Sequence, residues 1–88
     1  MYKLAINPNA DKVFRKLEKR NKWFLERISN KINEILKQPN IYKPLRKPMQ
    51  HIRRVHIEKS FVLLFTVHEN QKTIEILDFD HHDKIYKK

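Results

Sequence analysis

No cysteine and no glycine occur among the 88 residues, tryptophan appears once, and no apolar run is long. Without cysteine there is neither a disulfide framework nor a thiolate metal site, which suits a reducing cytosol. Without glycine, every tight turn must be made by residues that pay for a positive φ with their Cβ. The longest apolar-rich stretch, "FVLLFTV", falls far short of the ~20 residues that span a bilayer. The opening "MYKLAINPNADK" lacks a basic region followed by an apolar core, so no secretory signal is expected. The chain therefore reads as one domain, residues 1–88, unanchored and cytoplasmic, with room for one core.

Charge is what the sequence has in excess. Twenty Lys and Arg against ten Asp and Glu give a formal net charge of +10. A domain this small repels itself at that charge and attracts polyanions, nucleic acid foremost. The surplus is uneven. Residues 41–60 carry six basic side chains (Lys43, Arg46, Lys47, Arg53, Arg54, Lys59) and one acidic, Glu58, whereas residues 68–88 carry four basic and five acidic ones.

The periodicities predict a β-α-α-β-β-β order. "YKLAI" alternates as a short strand over 2–6. Asn9 is placed to cap a helix from about Ala10 to Arg20, with Val13, Phe14 and Leu17 on one stripe. A second helix over about 22–38 puts Phe24, Leu25, Ile28, Ile32, Ile35 and Leu36 on one face, and Pro39 ends it. The connector "PNIYKPLRKP" is neither helix nor central strand. Strands follow at about 51–57, 61–67 and 73–79, joined by "EKS" and "HENQK" as an antiparallel meander. The class is α+β: two helices on one face of a small twisted, mainly antiparallel sheet.

Alternation in "HIRRVHI" puts Val55 and Ile57 on one face and Arg54 and His56 on the other. The last strand runs into His81 and His82. In a meander the first and third strands flank the second, so His56 and His82 are expected to bracket one site, with Lys43, Arg46 and Lys47 arriving from the connector. Tyr86 returns to that site if the tail folds back. Adjacent histidines on an extended chain point to opposite sides, so His81 and His82 are not expected to share a metal, and neither metal nor other cofactor is expected. Histidines beside arginines and lysines on one face are the groups that RNA cleavage needs without a metal. Attack by a ribose 2′-hydroxyl requires a base, the departing 5′-oxygen an acid, and the phosphoryl oxygens nearby cations. Imidazole serves as base or acid near neutrality.

"RRVHI", three residues, "FVLLF", and a closing "HHDKIY" together resemble the RelE/ParE toxin superfamily, particularly its YafQ-like branch. The resemblance implies a RelE-like fold and a ribosome-dependent endoribonuclease that cuts translated mRNA in the A site and is silenced by a cognate antitoxin. It implies catalytic roles for His82 (principal acid or base), His56, Lys43, Arg54 and Tyr86, and RNA contacts from Arg46, Lys47, Arg53, Lys59 and His81. Lys43 stands where the branch has a histidine, Val62 where the RelE pattern has an arginine, and Arg54 and Ser60 where aspartates are frequent. Two other readings stay open: a ParE-like inhibitor of DNA gyrase, and a non-catalytic RNA-binding domain.

Overall fold

The computed structural model describes residues 1–85. The elements are β1 (Lys3–Ile6), α1 (Pro8–Arg20), α2 (Lys22–Lys37), β2 (Ile52–Ile57), β3 (Phe61–His68), β4 (Thr73–His81) and a final short helix, α3 (His82–Ile85). The sheet order is β1-β4-β3-β2, with β1 parallel to β4 and the other pairs antiparallel. The expected α+β architecture is thus observed, with one parallel edge strand and one added helix. No described helix is long and apolar enough to cross a membrane.

Local chemistry explains the boundaries. Helix α1 begins two residues earlier than its periodicity suggests, because Pro8 occupies the first turn, where its missing N–H costs nothing. The cap is therefore Asn7, not Asn9: the Asn9 N–H donates to Asn7 Oδ1 at 2.9 Å. Asn21 serves two helices. Its N–H donates to the Leu17 carbonyl at 2.7 Å, and its side chain accepts the Phe24 N–H at 3.1 Å. That one residue turns the chain between α1 and α2.

Ala10 and Phe14 of α1 and Phe24, Ile28, Ile32, Ile35 and Leu36 of α2 pack on Val55, Ile57, Leu63, Phe65, Ile74, Ile76 and Phe79 of the sheet. The opposite face is not bare. Val62 and Leu64 are covered there by Ile85 of α3, with Leu45, Ile52 and Leu77 alongside. Strand β3 is consequently packed on both sides, which is why its residues are apolar on both parities.

The missing glycines have a structural cost. Glu58 (φ 51°) and Lys72 (φ 48°), at the β2–β3 and β3–β4 turns, adopt the left-handed conformation that glycine would take freely. At Lys72 the side chain is 70% exposed, reaches Glu69 only at 3.6 Å and stands 5.4 Å from the centroid of the Tyr2 ring, so its contacts are weak ones. Lys72→Gly is expected to raise stability by about 0.5–1 kcal/mol, the left-handed penalty less the added freedom of the unfolded chain. A urea midpoint that fell instead would show the Lys72 side chain outweighing its backbone strain.

Candidate active site

The site face is assembled by strand register. Val55 and Ile57 are buried against the helices, and Arg54 and His56 project from the other side, as the alternation requires. The connector runs along the free edge of β2. The Leu45 N–H donates to the Ile52 carbonyl at 2.8 Å and the Arg54 N–H to the Lys43 carbonyl at 3.3 Å. Lys43 therefore stands opposite Arg54, on the same face, in a row that continues through Leu64 to Asp78. The neighbouring row runs from His56 through Val62 to Asp80. Cations thus occupy the β2 side of the face and carboxylates the β4 side. Asp78 and Asp80 escaped the sequence reading, although the alternation of "LDFD" carries the signal.

At the end of β4 the chain changes course. His81 is the last strand residue, paired with Phe61, and His82 is the first of α3. This change of backbone overturns the expectation that the two side chains diverge: their rings stack with centroids 4.7 Å apart and planes 26° apart. His81 also meets the Phe61 ring edge-on at 5.6 Å, and Phe61 stacks on Phe79 at 5.4 Å. His82 is fixed twice to one residue of the β2–β3 turn. Its N–H donates to the Ser60 carbonyl at 2.8 Å, and its Nδ1 lies 3.1 Å from that same oxygen. A carbonyl can only accept, so Nδ1 carries the proton toward Ser60. Nε2 lies 3.0 Å from Asp83 Oδ1, and His82 is about half exposed.

His56 and His82 are both solvent-accessible, but no hydrogen bond or ring contact joins them among the described residues. Strands β2 and β4 are two spacings apart, about 10 Å. On the edge strand, His56 also borders a polar pocket of about 370 Å³ shared with Arg27, Lys31 and Glu34 of α2 and with Glu58. Arg46 and Arg54 line a second pocket of about 410 Å³ together with Pro44, Leu45 and Met49. Lys47 and Lys59 are exposed nearby in sequence. Arg53 is a correction: its guanidinium turns to the other side of β2 and donates to the Pro39 carbonyl at 2.9 Å, tying down the connector instead of facing RNA. Tyr86 lies outside the described residues.

Comparison with known proteins bears on this arrangement. A family model for the ParE toxin of the type II toxin-antitoxin system parDE matches residues 4–86. A candidate toxin of Methanocaldococcus jannaschii, RelE4, is 54% identical over 88 residues, covering 100% of this chain and 94% of that protein. The YoeB/ParE toxin from Agrobacterium tumefaciens superposes with a TM-score of 0.81 at 15% identity, over 91% of this chain and 98% of that one. A chain of the intact RelBE toxin-antitoxin complex of E. coli does so with a TM-score of 0.76 at 20% identity, over 92% of this chain and 96% of that one. At such identities the solved structures establish a shared fold.

Phe61 is the contact through which the core holds His81. Phe61→Leu is expected to lower stability by about 1 kcal/mol and to remove the ring-current shift of the His81 imidazole protons in proton NMR. Unmoved His81 resonances in the folded variant would mean that the two rings do not touch in solution.

Proposed function

Because the chain belongs to the ParE toxin family of type II toxin-antitoxin systems, within the RelE/ParE superfamily, we propose that it is an endoribonuclease acting on mRNA in the ribosomal A site and held silent by a cognate antitoxin. The observation that carries the reading is the setting of His82. Its accessible imidazole is oriented by main chain at Ser60, with Nε2 on the side of Asp83, at the end of β4, two strands from the Lys43, Arg54 and His56 of the β2 edge. In the reaction a 2′-hydroxyl loses its proton to a base as its oxygen attacks the adjacent phosphorus. The bond to the 5′-oxygen breaks and that oxygen takes a proton, leaving a 2′,3′-cyclic phosphate and a 5′-hydroxyl. His82 and His56 divide the acid and base roles. The strand spacing between them leaves room for a phosphodiester to lie across the face.

Lys43 and Arg54 neutralise the charge that builds on the phosphoryl oxygens. Arg46, Lys47, Lys59 and His81 hold the RNA strand. The pocket that Leu45 and Met49 line with two arginines suits an unstacked base, being both apolar and cationic. Tyr86, four residues after His82 and outside the described residues, is assigned to the site on the resemblance alone. Arg53, bound to Pro39, is left out of the RNA surface. The surplus of positive charge fits a protein that must enter a cleft walled by RNA phosphates.

One observation favours a second reading: the matching family model is that of ParE, which brings inhibition of DNA gyrase without RNA cleavage into consideration. Induced expression separates the two. Growth arrest with codon-phased transcript ends is expected, and His82→Ala is expected to abolish arrest and slow cleavage on the order of 10²–10⁴-fold while its circular dichroism is retained. Intact transcripts with DNA damage would assign the chain to gyrase, and undiminished cleavage by folded His82→Ala would remove His82 from the chemistry.

A further inference from the structure

We propose that His81, His82 and Asp83 form a binding site for a zinc-class divalent transition ion, and that occupation of this site switches the nuclease off. One ligand atom from each of the three residues falls within 4.8 Å of the others. His82 Nε2 is 3.0 Å from Asp83 Oδ1, and His81 Nδ1 is 3.6 Å from Asp83 Oδ2. Three ligands at zinc bond lengths in a tetrahedral set stand about 3.4 Å apart. The two nitrogen–carboxylate separations lie near that value and no pair of the three ligand atoms is more than 4.8 Å apart, so rotation of the side chains closes the set on a cation.

Hydrogen bonding selects the right lone pairs. The Ser60 carbonyl accepts from His82 Nδ1, which leaves the Nε2 lone pair turned toward Asp83. A backbone carbonyl on the distal nitrogen is the usual support of a metal-binding histidine. His81 Nδ1 accepts the Asp83 N–H at 3.2 Å, so it is the unprotonated ring nitrogen, and an ion takes its lone pair by displacing that hydrogen bond. Two unprotonated ring nitrogens and a carboxylate stand close together, and a cation shared among them is favoured electrostatically. Two imidazoles with one carboxylate suit zinc and its neighbours and not calcium or magnesium, which prefer oxygen. The fourth position stays open to water.

The rings are also held side by side, and from their stacked arrangement they must turn for both lone pairs to reach one ion. Phe61 holds His81, His81 stacks on His82, and Ser60 holds His82 at two atoms. Local charge agrees: residues 68–88 carry five acidic and four basic side chains in a protein of net charge +10. Metal binding stands on these contacts alone. Its consequence for cleavage rests on the reading of His82 above, because an ion on Nε2 takes the lone pair that moves the proton.

The test uses the untagged full-length chain made by cell-free synthesis, with Zn²⁺ alone titrated against a chromogenic chelator at neutral pH. One ion per chain is expected. His81→Ala and Asp83→Asn should each weaken binding at least tenfold, and His51→Ala and His68→Ala should leave it unchanged. No stoichiometric binding by the wild-type chain, or binding indifferent to His81→Ala and Asp83→Asn, overturns the site. In a translation-coupled cleavage assay saturating Zn²⁺ should slow the wild-type chain at least tenfold, with Asp83→Asn losing that sensitivity. Persistent full cleavage by the zinc-loaded chain overturns the switch. A chain that binds Zn²⁺ through these residues and never cleaves RNA refutes the nuclease reading and the switch, and leaves the metal site standing.

Discussion

A single line of ring contacts connects the helical layer to His82. Phe14 of α1 meets Phe79 of β4, Phe24 of α2 packs on Phe61 and Phe79, Phe61 stacks on Phe79, and His81 and then His82 continue from Phe61. Each aromatic pair contributes about 0.5–1.5 kcal/mol beyond its area. In a domain of this size those contacts hold the helices on the sheet and set the position of the terminal imidazole together. A group that transfers a proton must be held within a fraction of an ångström of its working place. For His82 that placement comes through the His81–Phe61 contact and the Ser60 carbonyl.

Electrostatics is organised around that anchor. The face opposite the main helices runs from Lys43 and Arg54 on one side, over Val62 and Leu64, to Asp78 and Asp80 on the other. The apolar middle is unavoidable, since β3 is interior to the sheet and buried on both sides. An anionic strand crossing the face is drawn toward β2, and a cation toward the end of β4. The polyanion reading and the metal reading therefore use different margins of one surface and meet at His82.

Much of this was legible beforehand, for identifiable reasons. Period-two alternation in "HIRRVHI" and the apolar run of β3 specify which side chains face the helices, and the helical stripes of α1 and α2 likewise name their buried residues. Local competition was harder to see. Asn7 and Asn9 are equally good caps in isolation, and only Pro8 in the first turn decides between them. Arg53 looked like one more cation of a basic segment, but the parity of β2 sends it to the helix side, where Pro39 offers a carbonyl. The pairing of His81 with His82 was beyond any periodicity argument, because it depends on the strand stopping between them. Asp78 and Asp80 follow from the alternation of "LDFD", which puts them in register with Leu64 and Val62 on the face of Arg54 and His56.

The end of the strand has an energetic consequence that bears on silencing. Ile85, buried against Val62 and Leu64, covers the back of β3, and it belongs to the same four-residue helix that begins with His82. Burying one isoleucine is worth roughly 1.5–3 kcal/mol, a considerable share of the stability of a domain this small. Closing the outer face of the sheet and presenting the imidazole are thus one structural act. A partner that lifted α3 would disable the site, but it would also bare Val62 and Leu64 and would have to cover them with apolar side chains of its own. A partner that merely neutralised the cations of β2 would leave α3 seated and His82 in place. The first kind of silencing demands an apolar segment of the partner, the second an acidic one, and the geometry of Ile85 makes the first self-limiting unless that apolar segment is supplied.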